Sequence, residues 1–535
     1  MENIRLSALS CALAAAIFGI IFHAGESRAE LANPGLQCAP ESDELSPSRL
    51  VRAWSLDITG SLPDSEIVTN ADETNLDSTV DALLESPEFA EQVVRHHRAL
   101  LWNNVENVNI YSANATMQFA PDLDNVLYRR NRSNFYRGQA ELPCLDEPAT
   151  WDTSGALNYT TNPDGTIQEG WVEVTPYWEP WITQKVCAFD AQESEHSPSG
   201  TACFSRDGWS DPNCGCGIDL KYCRPRGALA LAVVRSFGES IERTIRQWTL
   251  EDRSYLELFR TREMWVNGPI VHFFKYQTEF GGGVRMAPAP VYAEGLPDLH
   301  FTDTETWVKV EVHDGHSGIL TSPVYLLRFQ TNRSRADRFY TNFLCQPFQP
   351  PDEGLPVGDE EDALNPDLQN RPGCEYCHGI LEPAAAYWGR WTETGGGYLA
   401  EDNGFSAFNT ACFDCAVTGT PCSSACKDHY IVDPIHADEA LYMGWLKAYL
   451  FRDDTHKVHV EQGPELLLLK STVSEQSPFS KCTARQVIRH LLQREPTTKE
   501  EEWVSELALQ FVLSDFDYRA LYRSVLRSDE YRRVR

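Results

Sequence analysis

Basic residues are scarce in this sequence. Its 535 residues include 46 Lys and Arg against 78 Asp and Glu, which gives a formal net charge of −32. A chain this acidic repels nucleic acid and anionic lipid, whereas it attracts basic proteins over a Debye length of about 10 Å. The same charge also suits a solvated surface that keeps a protein soluble. Nucleic-acid binding is therefore excluded, and a basic partner is an expectation.

Motifs of several common enzyme classes are absent as well. The sequence contains no Gly-rich phosphate loop, no nucleophile elbow and no helix with the two-histidine zinc motif. It also shows no fixed-period repeat. Hydrophobic residues make up 42% and charged residues 23%, ordinary values for a globular protein that exclude a fibrous or disordered chain. The length allows three or four domains of about 150 residues each.

Long apolar runs are lacking beyond the first residues. The run at residues 6–22 follows Arg5, and Ser27 and Ala29 place small residues at the −3 and −1 positions of a cleavage site. These features predict a signal peptide over residues 1–29 and export to the periplasm or the extracellular space. Because the run is long, an uncleaved anchor is the alternative. No later segment is long and apolar enough to span a bilayer, so we expect no transmembrane span after cleavage.

One motif carries specific chemistry. Cys374, Cys377 and His378 form the pattern Cys-x-x-Cys-His. Two cysteines at this spacing can add across both vinyl groups of a haem, and a histidine directly after the second can bind its iron. The motif predicts one covalently attached haem c, with His378 as the metal ligand. The alternative is a disulfide or zinc pair beside an unrelated histidine.

The motif does not fix the second axial ligand of such an iron. Methionine would raise the haem potential, whereas histidine would lower it. The chain has only 5 methionines, and Met443 lies downstream of the motif on a predicted helix. Met443 is the candidate ligand, although core packing with Leu441 and Trp445 explains its position equally well. His429 and His436 are its rivals.

The chain has 16 cysteines, and 13 remain once Cys11 in the apolar run and the two motif cysteines are set aside. Thiols of exported proteins normally pair, so we expect disulfides and one cysteine left over. Cys412, Cys415, Cys422 and Cys426 could together hold zinc or an iron–sulfur centre. Two disulfides suit an oxidising compartment better.

A second pair of polar candidates is His313 and His316, which flank Asp314 and Gly315. The two histidines could be metal ligands or an acid–base pair. In a haem enzyme, they would be candidates for the acid–base residue on the side of the iron where substrate binds. Such histidines more often lie in a loop and form local hydrogen bonds, and that is our expectation here.

Hydrophobic periodicity indicates a mainly α-helical chain with several helical domains. Apolar residues recur at helical spacing over residues 79–101, with a break expected at Pro87, and over 227–262, 322–343, 437–450, 484–493 and 499–531. This periodicity is lost in a Cys-rich stretch, which is predicted to be an irregular, disulfide-stapled insertion with a few strands. The predicted divisions are a signal peptide at 1–29, an N-terminal helical domain at 30–135, the insertion at 136–226, a middle helical domain at 227–345, a haem c-binding region at 346–433 and a C-terminal helical domain at 434–535.

Several stretches resemble known proteins. They are residues 52–63 (RAWSLDITGSLP), 81–98 (DALLESPEFAEQVVRHHR), 254–269 (SYLELFRTREMWVNGP), 318–323 (GILTSP), 333–347 (RSRADRFYTNFLCQP), 374–383 (CEYCHGILEP) and 518–531 (YRALYRSVLRSDEY). Together they resemble the exported, uncharacterised proteins of planctomycetes and myxobacteria that carry planctomycete-type cytochrome c domains. The resemblance implies mostly helical domains and one c-type haem, but it implies no substrate. The Cys-rich insertion and the four-cysteine cluster depart from the family.

These observations support three functional hypotheses. The leading one is that the chain is an exported monohaem c-type cytochrome that transfers electrons to or from a redox partner protein. A partner with a basic surface would be attracted by the acidic surface of this chain. The second is a haem-dependent enzyme of the peroxidase or oxygenase type, which needs an open or displaceable sixth position on the iron. The third is a surface assembly or binding module that uses haem structurally. Fold kinship alone does not choose among them.

Overall fold

The structure is a computed structural model, and it describes residues 44–111, 115–129, 143–193, 195–203, 208, 211–278, 286–350, 354, 364–435, 437–453, 458–460, 462–473 and 477–533. The predicted signal peptide and His436 lie outside the described residues. Leu45–Arg535 form one compact unit. The predicted domain boundaries inside this unit stay predictions.

The N-terminal region is built from helices. They are α1 (Pro47–Thr59), α2 (Ser65–Thr69), α3 (Leu76–Leu84) and α4 (Pro87–Leu101). Gly60 ends α1 with a φ of 76°, a left-handed conformation that favours glycine. The break predicted at Pro87 is present, because proline occupies the first turn of α4, where its missing N–H costs no hydrogen bond. The Ser86 hydroxyl caps the same helix by accepting a hydrogen bond from the Phe89 backbone N–H.

Short strands lie in the Cys-rich insertion and in the residues directly before it. They are β1 (Met117–Phe119), β2 (Val126–Arg129), β3 (Thr160–Thr161), β4 (Ile167–Gln168), β5 (Trp171–Val174) and β6 (Gln184–Cys187). Four of them form a sheet in the order β1-β2-β6-β5, in which only β2 and β6 run parallel. Three disulfides lie here, Cys144–Cys187, Cys203–Cys214 and Cys216–Cys223. The expected disulfides and short strands are present, but the sheet also includes β1 and β2 from before residue 136, and the insertion as a separate division stays a prediction.

The middle region combines helices with one strand pair. Its elements are α5 (Ala232–Leu250), β7 (Glu263–Val266), α6 (Gly268–Tyr276), β8 (Val308–Glu311), α7 (Pro323–Arg328) and α8 (Asn332–Phe343). The prediction of one helix over residues 322–343 is wrong, because the chain leaves the helical conformation between α7 and α8. Buried Arg335 holds this break by donating hydrogen bonds to the backbone carbonyls of Phe329 and Gly395. Thr331 then caps α8 by accepting a hydrogen bond from the Ser334 N–H.

The C-terminal half is again helical. Its helices are α9 (Glu375–Ala385), α10 (Thr410–Thr418), α11 (Ser424–His429), α12 (Gly463–Lys470), α13 (Pro478–Leu492), α14 (Glu501–Leu513), α15 (Tyr518–Leu526) and α16 (Asp529–Arg533). The fold is therefore mainly α, as predicted. None of the helices in the described part of the chain is long and apolar enough to cross a bilayer.

The helix predicted over residues 437–450 is absent. Two 3-10 helices, Ala437–Tyr442 and Lys447–Leu450, take its place. Between them Gly444 has a φ of 81°, and its backbone N–H donates a hydrogen bond to the Ile431 carbonyl. A Cβ at Gly444 would lie 2.6 Å from the Phe413 Cβ, so the turn requires glycine.

The first and last helices of the described chain share one hydrophobic core. The Trp54 indole N–H in α1 donates a hydrogen bond to the Leu526 carbonyl in α15, at 3.0 Å. Arg523 in α15 also pairs with Asp81 in α3 at 2.6 Å. These contacts join segments more than four hundred residues apart, which is why the compact unit spans both ends.

Candidate functional site

The Cys-x-x-Cys-His motif lies at the start of α9. Cys374 is the N-cap residue, and Cys377 and His378 belong to the first turns of the helix. The N–H groups of Cys377 and His378 both donate to the Cys374 carbonyl, at 3.2 and 3.0 Å. Gly373 enters the helix with a φ of 80°, which turns the chain directly before the first cysteine. Both thiols and the imidazole therefore start from about one turn of backbone, and all three residues are partly exposed.

The two motif thiols are unpaired. Among the cysteines that the structure describes, every other one belongs to a disulfide, while Cys374 and Cys377 are free. Thioether formation with haem vinyl groups consumes free thiols, so this is the state that attachment requires. A structural disulfide between the motif cysteines, which was one alternative, is not formed.

The four-cysteine cluster holds two disulfides. Cys412 pairs with Cys426, and Cys415 pairs with Cys422. The expectation of two disulfides instead of a zinc or iron–sulfur centre is confirmed. The predicted leftover cysteine is not among the described residues, since Cys11 and Cys38 both lie outside them.

His378 is oriented by a carboxylate. Its Nδ1 lies 2.6 Å from Oε1 of Glu382, four residues later on the same face of α9. Because a carboxylate accepts hydrogen bonds, this contact selects the tautomer of a neutral imidazole that donates from Nδ1 and keeps its lone pair on Nε2. Nε2 has no hydrogen-bond partner among the described residues. This is the nitrogen that an axial iron ligand needs to offer.

A large cavity lies beside the motif. Its volume is about 1140 Å³, slightly above the upper end of the roughly 300–1,000 Å³ that is typical of ligand sites. Its wall contains residues from both sides of the motif, Leu368 and Gln369 before it and Glu382 after it. Cys374, Cys377 and His378 are not among the described residues that line the cavity, and the motif reaches its wall through Glu382, the hydrogen-bond partner of His378.

The cavity wall has the mixed chemistry that a haem needs. Aromatic side chains such as Phe405 and Phe451 could pack on a macrocycle. The wall also contains Arg333 and Arg452, which pair with Glu382 and Asp438, and it contains the carboxylates of Asp367, Glu382, Glu393, Asp428 and Glu439. Together with the free thiols and the oriented imidazole, these residues fit a c-type haem.

His429 lines this cavity, whereas Met443 is not among the described residues that line it. His429 is the last residue of α11, and its ring contacts Phe405 edge-on with the ring centres 5.2 Å apart. Met443 lies in the turn between the two 3-10 helices, not on the helix that we predicted. Its predicted packing neighbour Leu441 is 75% exposed. The assignment of Met443 as the second axial ligand stays a prediction, but the cavity favours His429.

His313 and His316 occupy a buried loop. The Nδ1 of His316 lies 2.8 Å from the Thr321 hydroxyl, and burial lowers the pKa of His316 to about 3. The His313 ring packs between those of Tyr292 and Tyr398. Neither histidine is among the described residues that line the cavity. Local hydrogen bonding and packing therefore account for both, as expected.

Sequence reasoning missed Glu382 and Arg333. The Arg333 Nε donates a hydrogen bond to Oε1 of Glu382 at 2.6 Å, so one carboxylate oxygen serves both the arginine and His378. The His-x-x-x-Glu spacing could have indicated Glu382, because residues four apart share one helix face. No local signal indicated Arg333, which comes from α8.

The described residues contain no group of three or more His, Cys, Asp or Glu side chains arranged to hold a metal ion. A haem iron takes its equatorial ligands from the porphyrin and only axial ligands from the protein, so a haem site is not such a group. Comparison with known proteins found no matching family, no similar curated protein and no similar solved structure.

Proposed function

We propose that this chain is an exported monohaem c-type cytochrome that transfers electrons. One observation carries the proposal: in the described chain, whose other cysteines all form disulfides, the only free thiols are Cys374 and Cys377, directly before His378. Because these two thiols are not in disulfides, they are available for covalent attachment of a haem. The adjoining cavity and the oriented imidazole support it.

The six disulfides of the described chain indicate folding in an oxidising compartment. Covalent haem attachment in bacteria is also an extracytoplasmic process, so one location accounts for both features. The net charge of −32 suits electrostatic docking of a basic redox partner, because complementary charge raises the rate of encounter.

Each residue of the site has a distinct part. Cys374 and Cys377 would anchor the haem, His378 would offer Nε2 to its iron, and Glu382 holds the ring of His378 through Nδ1. When bound, the haem supplies one-electron redox chemistry. Apolar residues of the cavity wall, Phe405 and Phe451 among them, would reduce the access of water to that group. The protein thus binds, orients and shields the group.

A haem-dependent enzyme is the second candidate. The cavity volume favours it, since about 1140 Å³ leaves room for a small substrate beside the haem. Cyanide binding separates the two candidates. A low-spin ferric haem whose absorption spectrum does not change when cyanide is added indicates electron transfer, whereas rapid cyanide binding to a high-spin haem indicates an open catalytic position.

The test of covalent attachment compares two double variants. The wild-type chain, C374A/C377A and C216A/C223A are exported from a host with haem-attachment machinery, and the pyridine haemochrome is measured after denaturation. We expect one retained haem per chain in the wild type and none in C374A/C377A. The C216A/C223A control removes a cysteine pair from the insertion and should keep its haem. A wild-type chain without covalent haem, from a host that matures a known cytochrome, would overturn the proposal.

A further inference from the structure

Glu382 is a buried carboxylate in contact with the proposed iron ligand. Its side chain is 4% exposed, whereas the side chain of His378 is 22% exposed. Both the His378 Nδ1 and the Arg333 Nε lie 2.6 Å from the same carboxylate oxygen. Glu382 also lines the cavity. The carboxylate therefore stands between the imidazole, a cation and the space proposed for the haem.

Two elements hold this arrangement in place. Glu382 and His378 share α9, and Arg333 belongs to the first turn of α8, which packs against α9. The guanidinium of Arg333 also lies over the Phe451 ring, 5.2 Å from its centre. Since α8 is fixed at its start by the Thr331 cap, the arginine reaches Glu382 from a defined position.

The electronic effect follows from the hydrogen bond. A charged acceptor makes a stronger hydrogen bond than a neutral carbonyl, and it draws the Nδ1 proton of His378 toward itself. Electron density at Nε2 then rises, which makes the imidazole a stronger donor and stabilises ferric iron more than ferrous iron. Arg333 shares the accepting oxygen and so moderates the negative charge that His378 experiences.

We infer that Glu382 is a positioning residue that lowers the reduction potential of the haem through His378, and that Arg333 limits this effect. The inference rests on the proposed function and deepens it, because it identifies how this chain sets the potential of its own site. A purely structural ion pair between α8 and α9 would hold the helices together without a directed effect on the potential.

Equilibrium redox titration of the holoprotein tests the inference with three variants. E382Q keeps the shape of the side chain but removes its charge, so the potential should rise. R333Q removes the moderating cation, so the potential should fall. E375Q is the matched control, because Glu375 is an exposed carboxylate on the same helix without a hydrogen bond to His378. E375Q should leave the potential unchanged within error.

Opposite shifts in E382Q and R333Q would support the inference, because loss of packing alone does not produce opposite signs. The g values of the ferric haem in electron paramagnetic resonance should change in E382Q and not in E375Q. Unchanged potentials in both site variants, or shifts of the same sign, would overturn it. If E382Q fails to fold, R333Q decides: a lower potential together with changed g values of the ferric haem supports the inference, and unchanged g values refute it.

The haem content of the wild type keeps the two proposals apart. A wild-type chain that retains no covalent haem refutes the proposed function. A wild-type chain that retains haem, together with site variants that keep its potential, refutes only the role of Glu382.

Discussion

At the scale of single residues, the position of His429 in the cavity wall makes it the favoured candidate for the second axial ligand of the proposed haem. The sequence offers His429, His436 and Met443 downstream of the motif, and of these the described cavity wall contains His429. Two histidine ligands give a lower haem potential than a histidine and a methionine. With His429 as its second axial ligand, the proposed haem would therefore have a low potential.

Substitution of His429 should open the sixth coordination position of the proposed haem iron. We expect H429A to convert a low-spin ferric haem to a high-spin haem that binds cyanide, because the second axial ligand is lost. The absorption spectrum and a cyanide titration measure this change. M443A is the control and should keep the wild-type spectrum and potential. A lower potential in M443A together with an unchanged H429A would assign the ligand to Met443 instead.

The disulfides act at the scale of elements. Cys345, just after α8, pairs with Cys482 in α13 across a sequence separation of 137 residues, whereas Cys216 and Cys223 are 7 residues apart. A disulfide restricts the unfolded chain more when the loop that it closes is longer. The two bonds therefore differ in their expected contribution to stability.

Removal of the disulfide that closes the longer loop should reduce the free energy of unfolding more. By loop-closure entropy, C345A/C482A should lose roughly 5 kcal/mol of the free energy of unfolding, and C216A/C223A roughly 2 kcal/mol. Urea unfolding followed by circular dichroism under non-reducing conditions measures both variants against the wild type. Equal losses in the two variants would show that loop length does not control the contribution of these bonds.

Elements also show where local sequence patterns fail. Residues 322–343 have helical periodicity, but buried Arg335 donates hydrogen bonds to the Phe329 carbonyl between α7 and α8 and to the distant Gly395 carbonyl. Residues 437–450 also have helical periodicity, yet Gly444 adopts a left-handed backbone conformation that prevents a continuous helix. In both places contacts from distant residues outweigh the local preference for helix.

Buried histidines affect the molecule as a whole. Burial lowers the pKa of His97 to about 4, and it lowers the pKa values of His272 and His316 to about 3. Their usual value near 6.5 applies when the chain unfolds. Because the unfolded chain binds protons that the folded chain excludes, the free energy of unfolding decreases as the pH falls from about 6.5 toward 4.

His97 should account for a measurable part of this acid sensitivity. Its Nδ1 donates a hydrogen bond to the Val93 carbonyl, and its Nε2 accepts one from the Tyr255 hydroxyl. Between pH 7 and pH 4, the pKa difference corresponds to a loss of about 3 kcal/mol in the free energy of unfolding. Urea unfolding at both pH values should show that H97Q, although less stable at pH 7, loses less stability on acidification than the wild type.

The exposed His300 provides the control for this measurement. H300Q leaves the buried histidines intact, so it should show the same loss of stability on acidification as the wild type. An H97Q variant with the full wild-type pH dependence would contradict the assignment to His97.

The sequence by itself determined the helical character of the chain, the stapled insertion and the motif of Cys374, Cys377 and His378. Periodicity, cysteine content and a contiguous motif are local properties, so they can be read from neighbouring residues. Only the tertiary structure decided which cysteines pair, that the motif thiols stay free, and that Arg333 and Glu382 meet His378 beside a cavity. Those contacts join segments far apart in the chain, and they form because burial of apolar surface brings the helices together.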